Sequence, residues 1–230
     1  MLESRGKARA AIAAGLVSAD GVSVTKPSQK IDPDAVIEAA PAHPWVSRAA
    51  LKLVSGLDNF GIDPTGKTCL DVGASTGGFS QVLVARGAAK VFAVDVGRDQ
   101  LQASLRADPR IVSLESTDAR KLSPDAITES PELIVCDASF IGLEKVLARP
   151  LELAAPTCDL VALIKPQFEV GRENIGKGGI VKDKTATEAA VTRISAWINA
   201  QSGFSVIGVC ESPITGGDGN VEFLIAARKG

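Results

Sequence analysis

The sequence predicts an α/β protein in which helices cover both faces of a largely parallel sheet. From Ser47 onward, segments that are apolar throughout alternate with segments of helical character. Strands buried on both faces of a parallel sheet have this continuous apolar pattern. The chain has 230 residues, 45% of them hydrophobic, and a formal net charge of −2. This is enough for one domain with a full core and a small attachment, which excludes a disordered chain.

A small α+β unit precedes the sheet in the chain. Arg5 to Ala14 is rich in Ala, Arg and Lys and predicts a helix, which Gly15 ends in the left-handed conformation. Asp20-Gly21 lies between two short apolar stretches and predicts a tight hairpin, because both central positions of that turn favour positive φ. Residues 39–44 have the composition of a linker. The predicted domains are therefore residues 1–44 and residues 45–230.

The elements of the second domain follow from its apolar runs and helical periodicity. The predicted strands are Thr68–Val72, Val91–Asp95, Ile111–Leu114, Leu133–Cys136, Leu160–Lys165, Gly203–Cys210 and Val221–Ala227. The predicted helices are Ser47–Gly56 with Ser47 as its N-cap, Gly78–Arg86, Gln100–Arg106, Phe140–Leu153 and Thr185–Gln201. Ligands of such sheets bind beyond the carboxyl ends of the strands, so the residues that follow each strand are the candidates for a site.

Polar or glycine-rich stretches follow the first three predicted strands. Residues 71–80 form a glycine-rich turn that lets the backbone approach a ligand closely, and the next helix offers its first N–H groups. Asp95 ends the second strand, where a carboxylate can accept both hydroxyls of a ribose. Asp118 follows the third strand and is a candidate acceptor for an adenine amino group. Together these strand ends predict a nucleotide-like ligand.

Three other kinds of site are poorly supported. Gly73 to Gly77 matches the G-x-S-x-G elbow of α/β-hydrolases, but the base of that motif is a histidine later in the chain, and the one histidine here is His43. The chain contains no tyrosine, which excludes the catalytic tyrosine of a short-chain dehydrogenase. One histidine and dispersed cysteines also provide no zinc-ligand cluster, so no metal is predicted.

Cysteine usage and hydropathy predict a cytoplasmic protein. Cys69, Cys136 and Cys210 lie in or beside apolar runs and are predicted to be buried, reduced thiols, and no C-x-x-C pair occurs. The longest apolar stretches are the length of a strand rather than of a membrane-spanning helix. The N-terminus lacks the apolar core of a secretory signal. A spanning pore and a secreted protein are both disfavoured.

Several motifs together point to a family. They are Val46–Leu53, Asp71–Ser80, Cys136–Ile141, Leu163–Glu169, Gly176–Val181, Ser212–Ile214 and Gly219–Leu224. With these motifs, the stretch from Ser47 to Glu222 resembles the FtsJ-like RNA 2′-O-methyltransferases, and the whole chain resembles their TlyA-type branch, often labelled haemolysin A. The resemblance implies a Rossmann-like sheet that binds S-adenosylmethionine. It also implies methyl transfer to a ribose 2′-hydroxyl of RNA, with cytidine of ribosomal RNA as the expected acceptor.

The resemblance also implies site residues. The implied catalytic set is Lys52, Asp137, Lys165 and Glu222. The predicted S-adenosylmethionine contacts lie in the glycine-rich turn and at the next two strand ends: Asp71, Gly73, Ala74, Ser75, Thr76, Gly77, Gly78, Phe79, Asp95 and Asp118. Lys165 has two possible roles, a general base for the hydroxyl or a charged group that positions it. A neighbouring lysine favours the neutral amine of the base, whereas Asp137 favours the charged form.

The N-terminal stretch resembles the small RNA-binding module of ribosomal protein S-four and of pseudouridine synthases. The matching residues are Glu3 to Arg5, Ala8 to Gly15 and Val22 to Pro27, and the predicted RNA contacts are Arg5, Lys7, Arg9 and Lys26. Members of that family usually carry a further helix ahead of this point, so the module is expected to be partial. Residues 1–48 hold six Lys or Arg against five Asp or Glu, so this module is expected to bind RNA more weakly than a complete one.

Other functions remain as alternatives. One is an RNA-binding or membrane-active haemolysin-like protein without methyltransferase turnover, and methyl incorporation into RNA separates it from an enzyme. A cytosine C5 acceptor would require a nucleophilic cysteine after proline, which neither Cys136 nor Cys158 provides. An exocyclic-amine acceptor would require Asn/Asp-Pro-Pro-aromatic where this chain has residues 137–140, Asp-Ala-Ser-Phe. The predicted partner is therefore RNA, in ribosomal RNA or ribosomal subunits.

Overall fold

The computed structural model describes residue 2 and residues 5–230. Within the predicted RNA-binding module, Glu3 and Ser4 lie outside the described residues. The chain forms two compact units, Met1–Ser47 and Arg48–Gly230.

The first unit consists of one helix and a three-stranded antiparallel sheet. Its elements are α1 (Arg5–Ala13), β1 (Val17–Ala19), β2 (Val22–Ser23) and β3 (Ile37–Ala39), with the strands in the order β2-β1-β3. The predicted hairpin is confirmed, because Asp20 and Gly21 have φ angles of 49° and 74°. Gly15, with φ 70°, follows α1 in the left-handed conformation, as predicted. The strand β3 was not predicted, because its three residues are too few to establish an alternating pattern.

The second unit contains a seven-stranded sheet, and the predicted fold class is confirmed. The strands are β4 (Thr68–Val72), β5 (Lys90–Val94), β6 (Ile111–Leu114), β7 (Leu133–Cys136), β8 (Cys158–Ile164), β9 (Phe204–Glu211) and β10 (Phe223–Lys229). Their order is β6-β5-β4-β7-β8-β10-β9. Strands β4 to β8 are parallel, and β10 runs antiparallel to both of its neighbours. β9 and β10 follow each other without an intervening helix, which a parallel pair would require.

Helices cover both faces of this sheet. They are α2 (Ala49–Phe60), α3 (Gly78–Ala85), α4 (Ala103–Arg106), α5 (Leu143–Glu152), α6 (Pro166–Glu169) and α7 (Lys184–Asn199). Leu147 of α5 and Ile194 of α7 share a buried cluster with Leu160 of β8. Gly56 of α2 packs on Val161, which points to the opposite face because side chains alternate along a strand.

The predicted first helix of this unit was wrong at both ends. Its N-cap is Arg48, which makes no side-chain cap, rather than Ser47. Arg48 already has helical backbone angles and its carbonyl accepts the Leu51 N–H, so no serine cap precedes the first turn. The helix continues past Gly56 to Gly61, which ends it with φ 62°. A Cβ on Gly56 would lie 2.9 Å from Val161 Cγ1, so this glycine allows close packing on the sheet and does not end the helix.

Two other helices begin later than predicted. The predicted helix from Gln100 begins at Ala103, because Gln102 has ψ 137° and is therefore extended rather than helical. The N–H groups of Gln100 and Leu101 donate to the Glu115 carboxylate at 2.7 and 3.0 Å. The predicted helix from Phe140 begins at Leu143. Phe140 has φ 65°, a left-handed conformation that no helix interior accepts.

The cysteines differ from the prediction at one position. Cys69 and Cys136 are buried as predicted and Cys158 is buried as well, but Cys210 is half-buried. Cys210 is more exposed because β9 is an edge strand of the sheet. Burial raises the pKa of the three buried thiols to about 12. All four cysteines are free.

Among the described residues, no helix has the length and apolar character to span a bilayer.

Candidate active site

Two cavities open at the carboxyl ends of the parallel strands. The first has a volume of about 510 Å³ and lies beyond β4, β5 and β7. The second has a volume of about 590 Å³ and is lined by residues that include Lys52, Lys165 and Glu222. Asp137, Ser139 and Phe140 line both cavities. These three residues of the loop after β7 therefore lie where the two cavities meet.

The glycine-rich turn after β4 forms one wall of the first cavity. Gly73 has φ 84°, and a Cβ at this position would lie 2.8 Å from the Cα of Ala138. Only glycine therefore allows the turn to approach the loop after β7 so closely. Ser75 also has a positive φ of 47°, and its Oγ lies 3.1 Å from Gln100 Oε1. The turn exposes backbone at the cavity, as a nucleotide-binding turn requires.

Asp95 is held at the first cavity by two backbone N–H groups. Its Oδ2 accepts from the N–H of Ser75 at 2.8 Å, and its Oδ1 accepts from that of Gly97 at 2.6 Å. An ionised carboxylate has about four acceptor sites, so about half of them stay available to a ligand. This carboxylate is fixed in position and can accept two hydroxyl groups.

Asp118 also lines the first cavity, but its carboxylate already has a partner. It accepts from the backbone N–H of Arg120 at 3.0 Å and from Nη2 of the same residue at 2.7 Å. The Arg120 guanidinium lowers the pKa of Asp118 to about 2. An adenine amino group would therefore share this carboxylate with Arg120, which itself lines the cavity.

Six of the predicted cofactor contacts do not line the first cavity. Of the ten, Gly73, Ser75, Asp95 and Asp118 line the cavity. The remaining six shape the turn or belong to the core beneath it: Asp71, Ala74, Thr76, Gly77, Gly78 and Phe79. Among the core residues, Asp71 and Phe79 are buried.

Asp71 is the least solvated acid near the site. Its side chain is fully buried, Oδ2 accepts from Ser80 Oγ at 2.7 Å, and Oδ1 has no hydrogen-bond partner. Burial raises the pKa of Asp71 to about 7, and the negative charges of Asp137 and Asp95 add to this effect. Asp71 is thus a carboxyl group that favours its neutral form inside the protein.

The second cavity has a buried lysine at its base. Lys165 follows the last residue of β8 and is only 6% exposed. Its Nζ donates to the carbonyl of Asp137 at 2.9 Å and to Ser139 Oγ at 2.8 Å. Nζ also lies 2.7 Å from Asp137 Oδ1, as an ion pair outside hydrogen-bonding angles. Three oxygens therefore surround this nitrogen, an environment that suits an ammonium group.

A second buried pair lies beside the first. Lys52 of α2 is 7% exposed and Glu222, next to β10, is 2% exposed. Lys52 Nζ lies 2.5 Å from Glu222 Oε2 and 3.9 Å from Asp137 Oδ1. The four residues of the implied catalytic set thus form one cluster of two cations and two anions. Opposite charges at these distances offset part of the cost of burying each one.

Two residues of the cavity junction have no counterpart among the predicted site residues. Ser139 accepts from Lys165, and Phe140 is 89% exposed with its ring centroid 5.2 Å from that of Phe168. The sequence signal that could have identified them is their position, two and three residues after Asp137, the polar residue that follows β7. Phe140 was instead predicted to lie in a helix.

Among residues 2 and 5–230, no group of three His, Cys, Asp or Glu side chains is arranged to hold a metal ion.

The predicted RNA contacts lie in the first unit. Arg5 and Arg9 are exposed and one helical turn apart on α1, and Lys26 is exposed after β2. Lys7 is half-buried and has an interaction partner. Arg5 and Arg9 therefore present two cations on one face of α1.

Comparison with known proteins identifies the family. Residues 45–229 match the FtsJ-like methyltransferase family. The chain belongs to that family. In this FtsJ-like methyltransferase, residues 1–37 match the S4 domain. Both resemblances inferred from the sequence motifs are therefore confirmed.

Relatives of this FtsJ-like methyltransferase are named either as rRNA methyltransferases or as hemolysins. The "16S/23S rRNA (cytidine-2'-O)-methyltransferase TlyA" of Mycobacterium tuberculosis is 44% identical, over 99% of this chain and 85% of that protein. "Hemolysin A" of Brachyspira hyodysenteriae is 41% identical, over 96% of this chain and 92% of that protein. A solved structure of a candidate hemolysin from Streptococcus thermophilus is 39% identical with a TM-score of 0.81, and the match covers 99% of this chain and 84% of that one.

Proposed function

We propose that this FtsJ-like methyltransferase transfers a methyl group from S-adenosylmethionine to the ribose 2′-hydroxyl of cytidine in ribosomal RNA. The observation that carries the proposal is the junction of the two cavities at Asp137, Ser139 and Phe140. A methyl donor in the first cavity and a hydroxyl in the second would meet beside the Lys165–Asp137 pair. The name of the TlyA relative supports ribosomal RNA cytidine as the acceptor.

The first cavity fits the adenosine part of S-adenosylmethionine. Its volume of about 510 Å³ is within the usual range for small-molecule sites. Asp95 has acceptor sites left for the ribose hydroxyls, and Val94, Ile141 and Val146 provide apolar walls for the base. Asp118 would accept from the adenine amino group beside Arg120. When bound, S-adenosylmethionine supplies an electrophilic methyl group on a sulfonium, and its displacement needs no metal.

Replacing Asp95 tests this assignment. We expect Asp95→Ala to weaken S-adenosylmethionine binding by about 1.5–3 kcal/mol, because the variant loses a charge-assisted acceptor for the ribose hydroxyls. Asp58→Ala, which removes an exposed carboxylate of α2 that lines neither cavity, is the control and is expected to bind normally. Calorimetry on the folded variants makes the comparison. Unchanged affinity in Asp95→Ala would reject the ribose assignment.

In the second cavity, the chain's own residues would align the acceptor hydroxyl. Lys165 Nζ is held by Asp137 and Ser139, so its position relative to the cavity junction is fixed. In this position it can orient a hydroxyl oxygen as an ammonium group, or accept the hydroxyl proton as a neutral amine. Alignment of reactants is worth roughly 7–11 kcal/mol, and a positioned base adds about 10²–10⁴-fold. The Lys52–Glu222 pair supports Asp137 from the other side.

Recognition of RNA involves both units in this proposal. The exposed Phe140 and the half-buried Phe168 form an aromatic pair at the second cavity, and such rings stack on unpaired bases of RNA. Arg5, Lys7, Arg9 and Lys26 of the first unit would bind phosphates. We set the boundary between the RNA-binding module and the methyltransferase domain at residues 44 and 45. We propose that the protein acts in the cytoplasm, where ribosomal subunits are available.

The experiment that tests the function is methyl transfer in solution. The purified chain is incubated with labelled S-adenosylmethionine and ribosomal subunits, and label in the RNA is measured. Incorporation that depends on both the protein and the subunits supports the proposal. Cofactor binding alone does not, because a protein without turnover could also bind S-adenosylmethionine.

A further inference from the structure

The Lys165–Glu169 stretch contains a second buried charged residue that the mechanism does not use. The side chain of Glu169, the last residue of α6, is 3% exposed. Its Oε1 accepts from the backbone N–H of Leu143 at 2.7 Å. Leu143 is the first residue of α5, so a carboxylate 26 residues away in the chain caps this helix. Glu169 therefore joins the segment after β8 to the loop after β7.

Arg193 of α7 holds Glu169 in place. Its Nη2 donates to Glu169 Oε2 and to the Glu169 carbonyl, both at 3.0 Å. Its Nη1 lies 2.5 Å from Oε1 of Glu144, the second residue of α5. One guanidinium thus binds the end of α6 and the start of α5 together. Both oxygens of the Glu169 carboxylate have partners, one on each of two different elements.

The loop between these anchors is the one that forms the junction of the two cavities. It begins at Asp137, includes Ser139 and Phe140, and ends where Glu169 bonds to Leu143. Phe140 has φ 65°, which is strained for a bulky side chain and persists only where the surroundings fix it. Lys165 binds the start of the loop through Asp137 and Ser139. The Glu169 bond fixes its other end.

We propose that Glu169, held by Arg193, is a positioning residue for the loop of residues 137–142. By fixing the end of this loop, it keeps Asp137 and Ser139 in contact with Lys165 on the acceptor side of the active site. This inference rests on the proposed function for its activity readout. Glu169 touches neither the acceptor nor the methyl donor in this account. It acts through the positions of Asp137 and Lys165. It joins α6, which directly follows Lys165, to the start of α5, which follows the loop that begins at Asp137.

Substitutions at Glu169 test the proposal through a graded loss of kcat. A displacement of reacting groups by about 1 Å costs roughly 10²-fold in rate, and this is the loss expected for Glu169→Ala. Glu169→Gln retains an acceptor for the Leu143 N–H but loses the ion pair with Arg193, so its kcat is expected to fall between those of wild type and Glu169→Ala. The Kd for S-adenosylmethionine is expected to change by much less than kcat in both variants, because Asp95 and Asp118 lie outside this loop. KM for RNA is expected to rise, because the loop carries Phe140.

Glu144→Gln is the matched control. It removes the other carboxylate bound by Arg193 and leaves the bond to Leu143 intact. We expect this variant to retain wild-type kcat. An equal loss of kcat in Glu144→Gln and Glu169→Gln would overturn the proposal, because the effect would then belong to the arginine network in general. Wild-type kcat in Glu169→Ala would overturn it as well.

Hydrogen exchange tests the same inference without turnover. In Glu169→Ala, amide exchange in residues 138–143 is expected to be faster than in wild type and in Glu144→Gln. If the wild-type protein transfers no methyl group, the proposed function fails, and the exchange experiment still decides whether Glu169 fixes this loop. Unchanged exchange in Glu169→Ala would show that the loop holds its conformation without this residue and would overturn the inference.

Discussion

Lys165→Ala is expected to reduce methyl transfer to RNA by about 10²–10⁴-fold and to leave the affinity for S-adenosylmethionine unchanged. The physical reason is location, because Lys165 is at the base of the second cavity, whereas Asp95 and Asp118 line the first. Asp137→Ala is expected to have a loss of similar size. This variant leaves Lys165 without its carboxylate and Lys52 with Glu222 as its remaining counterion.

Lys67→Ala is the matched control for this prediction. Lys67 Nζ lies 2.7 Å from Asp159 Oδ2, the same distance as in the Lys165–Asp137 pair, but this pair is outside both cavities. Removing it should leave turnover unchanged. Single-turnover methyl transfer and calorimetry on the same preparations separate chemistry from binding. Full activity in Lys165→Ala would reject the proposed active site.

Lys165→Arg separates the two roles left open for this residue. Arginine keeps the positive charge but cannot act as a base, because its pKa exceeds about 12. Substantial activity in Lys165→Arg would exclude proton abstraction by this side chain. Loss in both the arginine and the alanine variants, with cofactor and RNA still bound, favours the base. The planar guanidinium differs in shape from an ammonium group, so RNA binding has to be measured in parallel.

Asp71→Asn is expected to stabilise the protein by a few kcal/mol above about pH 7 and to lose this advantage towards about pH 4. Burial raises the pKa of folded Asp71 from 3.8 to about 7. Between these pH values the unfolded carboxyl ionises while the folded one keeps its proton, so wild-type stability falls as the pH rises. Above this window the folded protein bears the full cost of the buried charge.

Urea unfolding of wild type and Asp71→Asn across this pH range measures the difference in stability. Asparagine keeps the size of the side chain and an acceptor for Ser80 Oγ. It has no charge to bury, so the gain should increase through the window and then become constant. A gain of the same size at both ends of the range would contradict the account, because a packing effect does not follow the ionisation of one carboxyl.

The strand ends were the part of the site that could be predicted from sequence. Asp95 and Asp137 directly follow apolar strands, and parallel strands bring their carboxyl ends to one edge of a sheet. Lys52 and Glu222 are different, because one comes from a helix and the other from the stretch before an antiparallel strand. Their approach to within 2.5 Å depends on tertiary packing, which only the family resemblance could indicate.

The parts that could not be predicted depend on contacts that are distant in sequence. Phe140 was predicted to be helical because no local signal shows that Glu169 caps α5 at Leu143. The burial of Asp71 also follows from distant contacts, because it is the last-but-one residue of a central strand that is covered on both sides by neighbouring strands. The short strand β3 has three residues, too few to establish an alternating pattern, and forms by pairing with β1.

Methyl transfer to a cytidine ribose can be measured on the RNA product itself. Ribosomal subunits are incubated with the protein and S-adenosylmethionine labelled on the methyl group, the RNA is digested to nucleosides, and the labelled nucleoside is identified by chromatography and mass. We expect label in 2′-O-methylcytidine with the wild-type protein and its loss with Lys165→Ala. Label in a base-methylated nucleoside, or no label in a protein that binds both S-adenosylmethionine and RNA, would contradict it.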